Sequence, residues 1–167
     1  MTMGERMTEG DIRKIQEEID YRKLVVRKEA IAAVQEARAH GDLSENFEYH
    51  AAKKDKNQNE SRIRYLERLI ANAQIVEDKA PADVAGMDRT VTLYFEDDDE
   101  EETITLVTSI RGNSSKGLLS IESPIGKALV GHRVGDRVLV QVDEHVSYYV
   151  VIRAIGVADE NQDIRKY

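Results

Sequence analysis

GDLSENFEY, residues 41–49, lies between two long charged stretches that read as helix, and its reading decides the fold. Gly41 tolerates the left-handed backbone that ends helices. Asp42 and Ser44 are residue types that start them. The stretch therefore predicts a turn at residues 41–44, with an antiparallel pair of helices on either side. On the first flank apolar residues recur at Ile12, Ile15, Ile19, Val26, Ala30, Ala33 and Ala37, and on the second at Ile63, Leu66, Ile70, Ala73 and Val76. Spacings of three and four mark one face of a helix. Narrow stripes with charged flanks are those of a two-helix coiled coil. Lys56 and Asn59 fall where seam residues are expected, within a patch, Asn57-Gln58-Asn59, that is wholly polar. The seam is thus weaker near the turn, and the stiffness of that part of the arm is open. Each arm of ~30 residues spans about 45 Å. Two such helices share one seam and make no globular core of their own.

The period then changes from three or four to two. KAPADVAG, residues 79–86, reads as a linker. Beyond it Thr90–Phe95, Thr103–Val107, Leu118–Ile121, Arg137–Val142 and Tyr148–Ile152 are strand candidates. The acidic run 96–102 reads as the solvated loop of a hairpin between the first two. SPIGKALVG, residues 123–131, is the one helix candidate in this half: Ser123 can cap, Pro124 suits the first turn and Gly131 can end it. The expectation is an α+β chain: a coiled-coil hairpin over 8–78 with an acidic tip at 41–48, a linker at 79–86, a small antiparallel-sheet domain at 87–157, and a frayed tail at 158–167.

Composition narrows the function. The chain of 167 residues has no cysteine, which excludes disulfides and thiolate chemistry. No apolar run approaches a membrane span of about 18 residues, and MTMGERMTEGD lacks the apolar centre of a signal peptide. A soluble cytoplasmic protein without a membrane partner is expected. The net charge of −8 is uneven. Residues 11–77 balance 13 Lys and Arg against 13 Asp and Glu, whereas residues 78–167 carry 10 against 17. The low pI therefore does not exclude nucleic acid as a partner of the first half. His40, His50, His132 and His145 form no metal-ligand pattern.

Two readings of the acids at the turn stand side by side. In the first they are caps: Asp42 with Glu45 three residues on resembles a capping box, and acids suit the first turn of a helix. That reading leaves Glu48 and the display of Leu43 and Phe47 unexplained. In the second, Glu45 and Glu48 share a helix face and converge with Asp42 at the end of an arm. Hard cations such as Mg²⁺ take one or two carboxylates from a given partner. A tip of this kind could complete a metal site in another molecule, but it has no pocket and makes a poor enzyme alone.

The stretch EARAHGDLSENFEYHAAKKDKNQNESRIRYLERLIANAQIVED, residues 36–78, resembles the Gre transcript cleavage factors of bacterial RNA polymerase, GreA type more than the more basic GreB type. LSIESPIGKALVGHRVGD, residues 119–136, continues the resemblance. It implies a coiled coil joined to an FKBP-like domain, acting as a monomer. It further implies an accessory, not an enzyme, that enters the polymerase secondary channel and stimulates the polymerase's own cleavage of nascent RNA in backtracked complexes. By that resemblance Asp42 and Glu45 are the tip acids that help hold the second Mg²⁺, with Glu48 and Tyr49 in support. Arg38 and Lys53 contact the nascent RNA 3′ segment, DNA is met only within the elongation complex, and Glu122, Ser123 and Pro124 grip the polymerase. Ser123 as a plain helix cap remains open beside that role. An inhibitor of polymerase using the same channel, and a coiled-coil adaptor with no polymerase role, are the alternatives. Prolyl isomerase activity is disfavoured, because Tyr94, Phe95, Tyr148 and Tyr149 are the only aromatics available to line such a pocket.

Overall fold

The computed structural model describes residues 4–41 and 45–166. Its chain divides into two units, one formed by Gly4 and residues 12–73, the other by residues 5–11 and 74–166. The first is a helical hairpin. Helix α1 (Glu9–Tyr21) passes through one π-helical segment (Arg22–Val26) into α2 (Arg27–Ala39), and α3 (Phe47–Ala71) returns. Partners descend one arm as they climb the other, Glu18 with Arg62 and Arg22 with Asn59, so the arms are antiparallel. Ile15, Ile19, Ile63 and Leu66 form a dry seam at one end. Toward the turn buried apolar side chains thin out to Ala37 and Tyr49.

One residue of the polar patch is built into this seam, while Asn57 and Gln58 are exposed. Asn59 is buried; its carboxamide accepts from the Arg22 guanidinium at 3.0 Å and donates to the Arg22 carbonyl at 3.2 Å. That carbonyl also accepts the backbone N–H of Arg27, five residues on, which is the π-helical bond. The π turn holds one more residue than an α turn, yet Val26, Ala30 and Ala37 beyond it still face inward as expected. Ala33, expected to face inward, is exposed, and Val34 beside it is half-buried. Glu18 is gripped by both Arg62 and Arg22. Burial pushes its carboxyl upward, but the two arginines outweigh this and hold it below the ordinary carboxylate value.

In the second unit β1 (Arg6–Met7) pairs in parallel with β2 (Gln74–Ile75). The helix therefore stops at Ala71, short of the expected residue 78, and Val76 spends its backbone N–H on Met7. The main sheet has β3 (Arg89–Phe95), β4 (Glu100–Val107), β5 (Leu118–Ser120), β6 (Arg137–Gln141) and β7 (Ser147–Val157) in the order β5-β4-β3-β7-β6. Three pairings are antiparallel, as expected, but β4 and β5 run parallel. The acidic run is not all loop: Glu100, Glu101 and Glu102 pair with Phe95, Tyr94 and Leu93, leaving a four-residue turn at 96–99. Val91, Leu93, Leu106, Val140, Val150 and Ile152 fill the core beneath α4 (Pro124–Leu129).

Two segments expected to be loose are packed. In the presumed linker Ala85 is fully buried and its backbone pairs with Gly131 and His132. The presumed frayed tail buries Ile164, and its Arg165 donates a backbone N–H to the Ile110 carbonyl. Arg111 explains why the chain ends converge here. Its side chain is 0% exposed and meets Asp11 at 2.7 Å, Asp88 at 2.6 Å and the Gln162 side-chain oxygen at 2.8 Å. Removing one partner of a buried ion pair leaves an uncompensated charge and costs about 3–5 kcal/mol. Arg111→Met strands Asp11 and Asp88 together and is expected to destabilise the chain by about that amount, read from urea unfolding midpoints. A loss below ~1 kcal/mol would mean that these carboxylates do not depend on the guanidinium.

Candidate functional site

The end of the hairpin is built differently from its sequence reading. Helix α2 closes at Ala39 with His40 as its cap, and Gly41 follows at φ +142°, a conformation that suits glycine. Asp42, Leu43 and Ser44 lie outside the described residues. Helix α3 is not capped by Asp42 with Glu45. Its N-cap is Asn46, whose side-chain oxygen accepts the Tyr49 backbone N–H at 3.1 Å. The other half of that carboxamide donates to the Ala37 carbonyl at 2.6 Å, tying the turn to the end of α2. Asn46 was missed, although asparagine just ahead of a helical run is itself a cap signal. Glu45 precedes the cap, so it does not share a helix face with Glu48 as expected.

Glu45 and Glu48 are exposed, and so is Phe47 at 87%. Glu48 faces the His40 ring at 3.5 Å, which engages it locally. Among the described residues no three or more His, Asp or Glu gather in a way that could hold a metal ion. The carboxylates therefore fit Mg²⁺ only as part of a shared ligand set, with hard oxygens presented outward and the remainder supplied from elsewhere.

Below the turn the two arms enclose a groove of about 270 Å³, floored by Ile31 and Val34 and walled by Arg38, Tyr49, Lys53 and Lys56. The structure thus brings Arg38 and Lys53 onto one surface, with Tyr49 between them. Tyr49 is buried, and the Arg38 guanidinium carbon lies 5.6 Å from its ring centroid. A hydrogen bond from Arg38, aided by the charge of Lys53, holds the Tyr49 phenol below its usual value. Cations over an aromatic wall are the components that bind phosphate and stack a base.

In the sheet unit Glu122 and Ser123 lead directly into α4, which begins at Pro124. Ser123 caps the helix, accepting the Gly126 backbone N–H at 3.1 Å and donating to the Ser120 carbonyl at 2.6 Å. Pro124 holds the first helical position. Gly126 packs so closely that a side-chain carbon there would stand 2.1 Å from the Ser120 carbonyl oxygen. The Glu122 carboxylate accepts from the Ser109 hydroxyl at 2.8 Å and lies 3.8 Å from Arg6. Glu122 and Pro124 are exposed.

Two family models match most of the chain: "Transcription elongation factor, N-terminal" over residues 5–75 and "Transcription elongation factor, GreA/GreB, C-term" over residues 80–156. The chain belongs to the GreA/GreB family of transcription elongation factors. It is 46% identical over 136 residues to the transcription elongation factor GreA of Geobacillus kaustophilus, covering 81% of this chain and 86% of that protein. It is 42% identical over 147 residues to the GreA of Agrobacterium fabrum, covering 87% and 93%. Among solved structures it is similar to the GreA factor homolog 1 (Gfh1) protein of Thermus thermophilus, 26% identical over 91% of this chain and 98% of that one, with a TM-score of 0.43. No helix among the described residues of this GreA/GreB family member is long and apolar enough to cross a membrane.

Because Asn46 bonds in both directions, its substitutions separate two effects. Asn46→Ala is expected to cost about 1 kcal/mol for the lost cap and a further ~1 kcal/mol for the lost bond to α2. Asn46→Asp keeps the cap and loses only the latter. Thermal unfolding followed by helicity, together with hydrogen exchange at the Tyr49 amide, reads both. Exchange should accelerate in the alanine variant and not in the aspartate variant.

Proposed function

We propose that the chain binds RNA polymerase and stimulates the polymerase's own cleavage of nascent RNA in backtracked, arrested complexes. The hairpin end would enter the secondary channel. The observation that carries this reading is the outward presentation of Glu45, freed from capping by Asn46, in a chain of the GreA/GreB family. Asp42 and Glu45 offer carboxylate oxygens at the polymerase active centre. Mg²⁺ bound there supplies the charge that makes water a competent nucleophile. The chain itself remains an accessory: it delivers and orients oxygens, and the polymerase holds the substrate and most of the ion. Glu48, engaged by His40, supports the turn, and Tyr49 anchors it to Arg38.

The groove below the tip takes the extruded 3′ segment of the RNA. Arg38 and Lys53 meet phosphate without reading sequence. Glu122, Ser123 and Pro124 grip the polymerase from the sheet unit. Ser123 serves that grip by fixing the loop, so its contribution is to hold Glu122 and Pro124 outward. DNA is met only inside the elongation complex.

The test is RNA shortening in a purified backtracked complex. Asp42→Asn and Glu45→Gln remove charge, and Glu45 lies outside the helix, so helicity should be unchanged. Both variants should still bind polymerase and compete with the parent chain while losing ~100-fold in rate, about 2.7 kcal/mol of transition-state stabilisation. Raised Mg²⁺ should restore part of it. Parent rates from both variants would sink the assignment of the tip acids, and inhibition of synthesis by the parent chain would replace stimulation as the reading. Separately, Arg38→Ala with Lys53→Ala should weaken action on long extruded RNA more than on an overhang of two or three nucleotides. The salt dependence should flatten as well. Equal loss at every RNA length would remove the groove from the proposal.

A further inference from the structure

Around the turn between β3 and β4, carboxylates and aromatic rings are gathered in three groups, and two of them hold an arginine of this chain. In the first, Arg137 makes two bonds to the Glu96 carboxylate, at 2.7 and 3.0 Å, while its guanidinium carbon lies 3.6 Å from the Tyr149 ring centroid. In the second, Tyr94 donates to Asp99 at 2.6 Å, and Arg153 lies 4.7 Å from the Tyr94 centroid. A bulge makes this possible: Thr92 and Leu93 pair with Ala154 and Ile152, so Arg153 is an extra residue pushed out of the ladder.

The third group has the same components, and among the described residues no cation stacks on its two facing rings. Phe95 and Tyr148 stand with ring centroids 6.0 Å apart and planes tilted by 33°. They wall a cleft of about 320 Å³, shared with Val146 and Tyr149 and edged by Asp97 and Asp98. Among the described residues no Lys or Arg lines it, and Arg137, stacked on Tyr149 beside it, is engaged by Glu96. Both carboxylates are exposed, and neither has an ion-pair or hydrogen-bond partner among the described residues. The volume is at the small end of ligand sites, which run to about 1,000 Å³, and suits one long side chain.

We propose that this cleft receives a basic side chain, arginine before lysine, from a segment of a protein partner. Guanidinium is weakly hydrated, stacks on aromatic faces and offers a planar fork to paired carboxylates. Its methylene stem can lie on Phe95 and Tyr148 while the head meets Asp97 and Asp98. The charge of the unit selects the class of partner. Residues 78–167 carry 17 acids against 10 bases, a field that repels nucleic acid and draws basic protein surface. The first two groups show the same pairing already made within the chain. This site is independent of the tip and of RNA cleavage.

The experiment is an NMR titration of the full chain with the blocked peptide Ac-Gly-Arg-Gly-NH₂. Citrulline, a neutral copy of arginine, replaces it in a control peptide. Saturating shifts confined to Phe95, Asp97, Asp98 and residues 146–149 are expected, with at least fivefold weaker binding for citrulline. Asp97→Asn with Asp98→Asn should weaken the arginine peptide by a similar factor, with the rest of the spectrum unchanged to show that the fold is kept. Absence of localised shifts overturns the proposal. So does equal binding of citrulline, which would make the cleft merely apolar, or a matching response to single-stranded oligouridylate, which would make the partner RNA. The readout involves no polymerase, so its failure and failure of the cleavage reading are separate events.

Discussion

A single buried guanidinium organises the sheet unit. Arg111 touches Asp11 in the first turn of α1, Asp88 at the entrance to β3, and Gln162 near the chain's end, with Thr108 from its own turn at 3.1 Å. Segments far apart in sequence are thus registered against one planar fork, whose donors have fixed directions. Asp11 has a second duty. It and Thr8 exchange backbone and side-chain hydrogen bonds, each at 3.0 Å, in a capping-box arrangement that starts the helix. Hence the start of the helical arm and the closure of the sheet unit draw on the same carboxylate. Burial raises the Asp88 carboxyl above its ordinary value even though Arg111 pulls it down, so desolvation here is substantial. An apolar cluster of equal volume could match the stability, but it would not dictate which segments meet.

The hairpin solves its seam in another way. Two helices cannot bury enough to form a full core, so burial is concentrated at Ile15, Ile19, Ile63 and Leu66. Farther along, the polar groups satisfy one another: Asn59 is spent on Arg22, and Glu18 on Arg22 and Arg62. The π turn is the local consequence, because the Arg22 carbonyl serves both Asn59 and Arg27. Of the polar patch that left the stiffness of the arm open, Asn59 is thus a bonded contact across the seam, while Asn57 and Gln58 face outward.

Much of what depended on periodicity or on one residue's chemistry was legible in the sequence. The hairpin, the five main strands and the Ser123 cap followed from spacing and residue type. What stayed hidden depended on distant partners. Ala85 has no feature that distinguishes a buried linker residue from an exposed one, and its role is fixed only by Gly131 and His132. The tail looked loose because its one apolar anchor, Ile164, is isolated in sequence. The parallel β4–β5 pair required a crossover that alternation does not encode. At the tip, Asp42 and Ser44 read as the helix start, although Asn46 is equivalent to them by residue type. The start of α3 at Phe47 selected Asn46.

That selection bears on why acids stand at the end of a hairpin at all. A capping acid spends its oxygens on backbone N–H groups and is half-neutralised by the helix end. With Asn46 in that place, Glu45 has no such duty, and the first turn of α3 needs no carboxylate at residue 45 to form. Local folding therefore gives no account of that acid, and exposure without a pocket gives it no catalytic environment of its own. On the proposed reading, an exposed anionic oxygen at the end of the arm serves a cation brought by another molecule. The bond from Asn46 to the Ala37 carbonyl joins the start of α3 to the end of α2, and on the proposed reading such a tie serves delivery, because a donor aimed at a metal ion must be placed to within a fraction of an ångström.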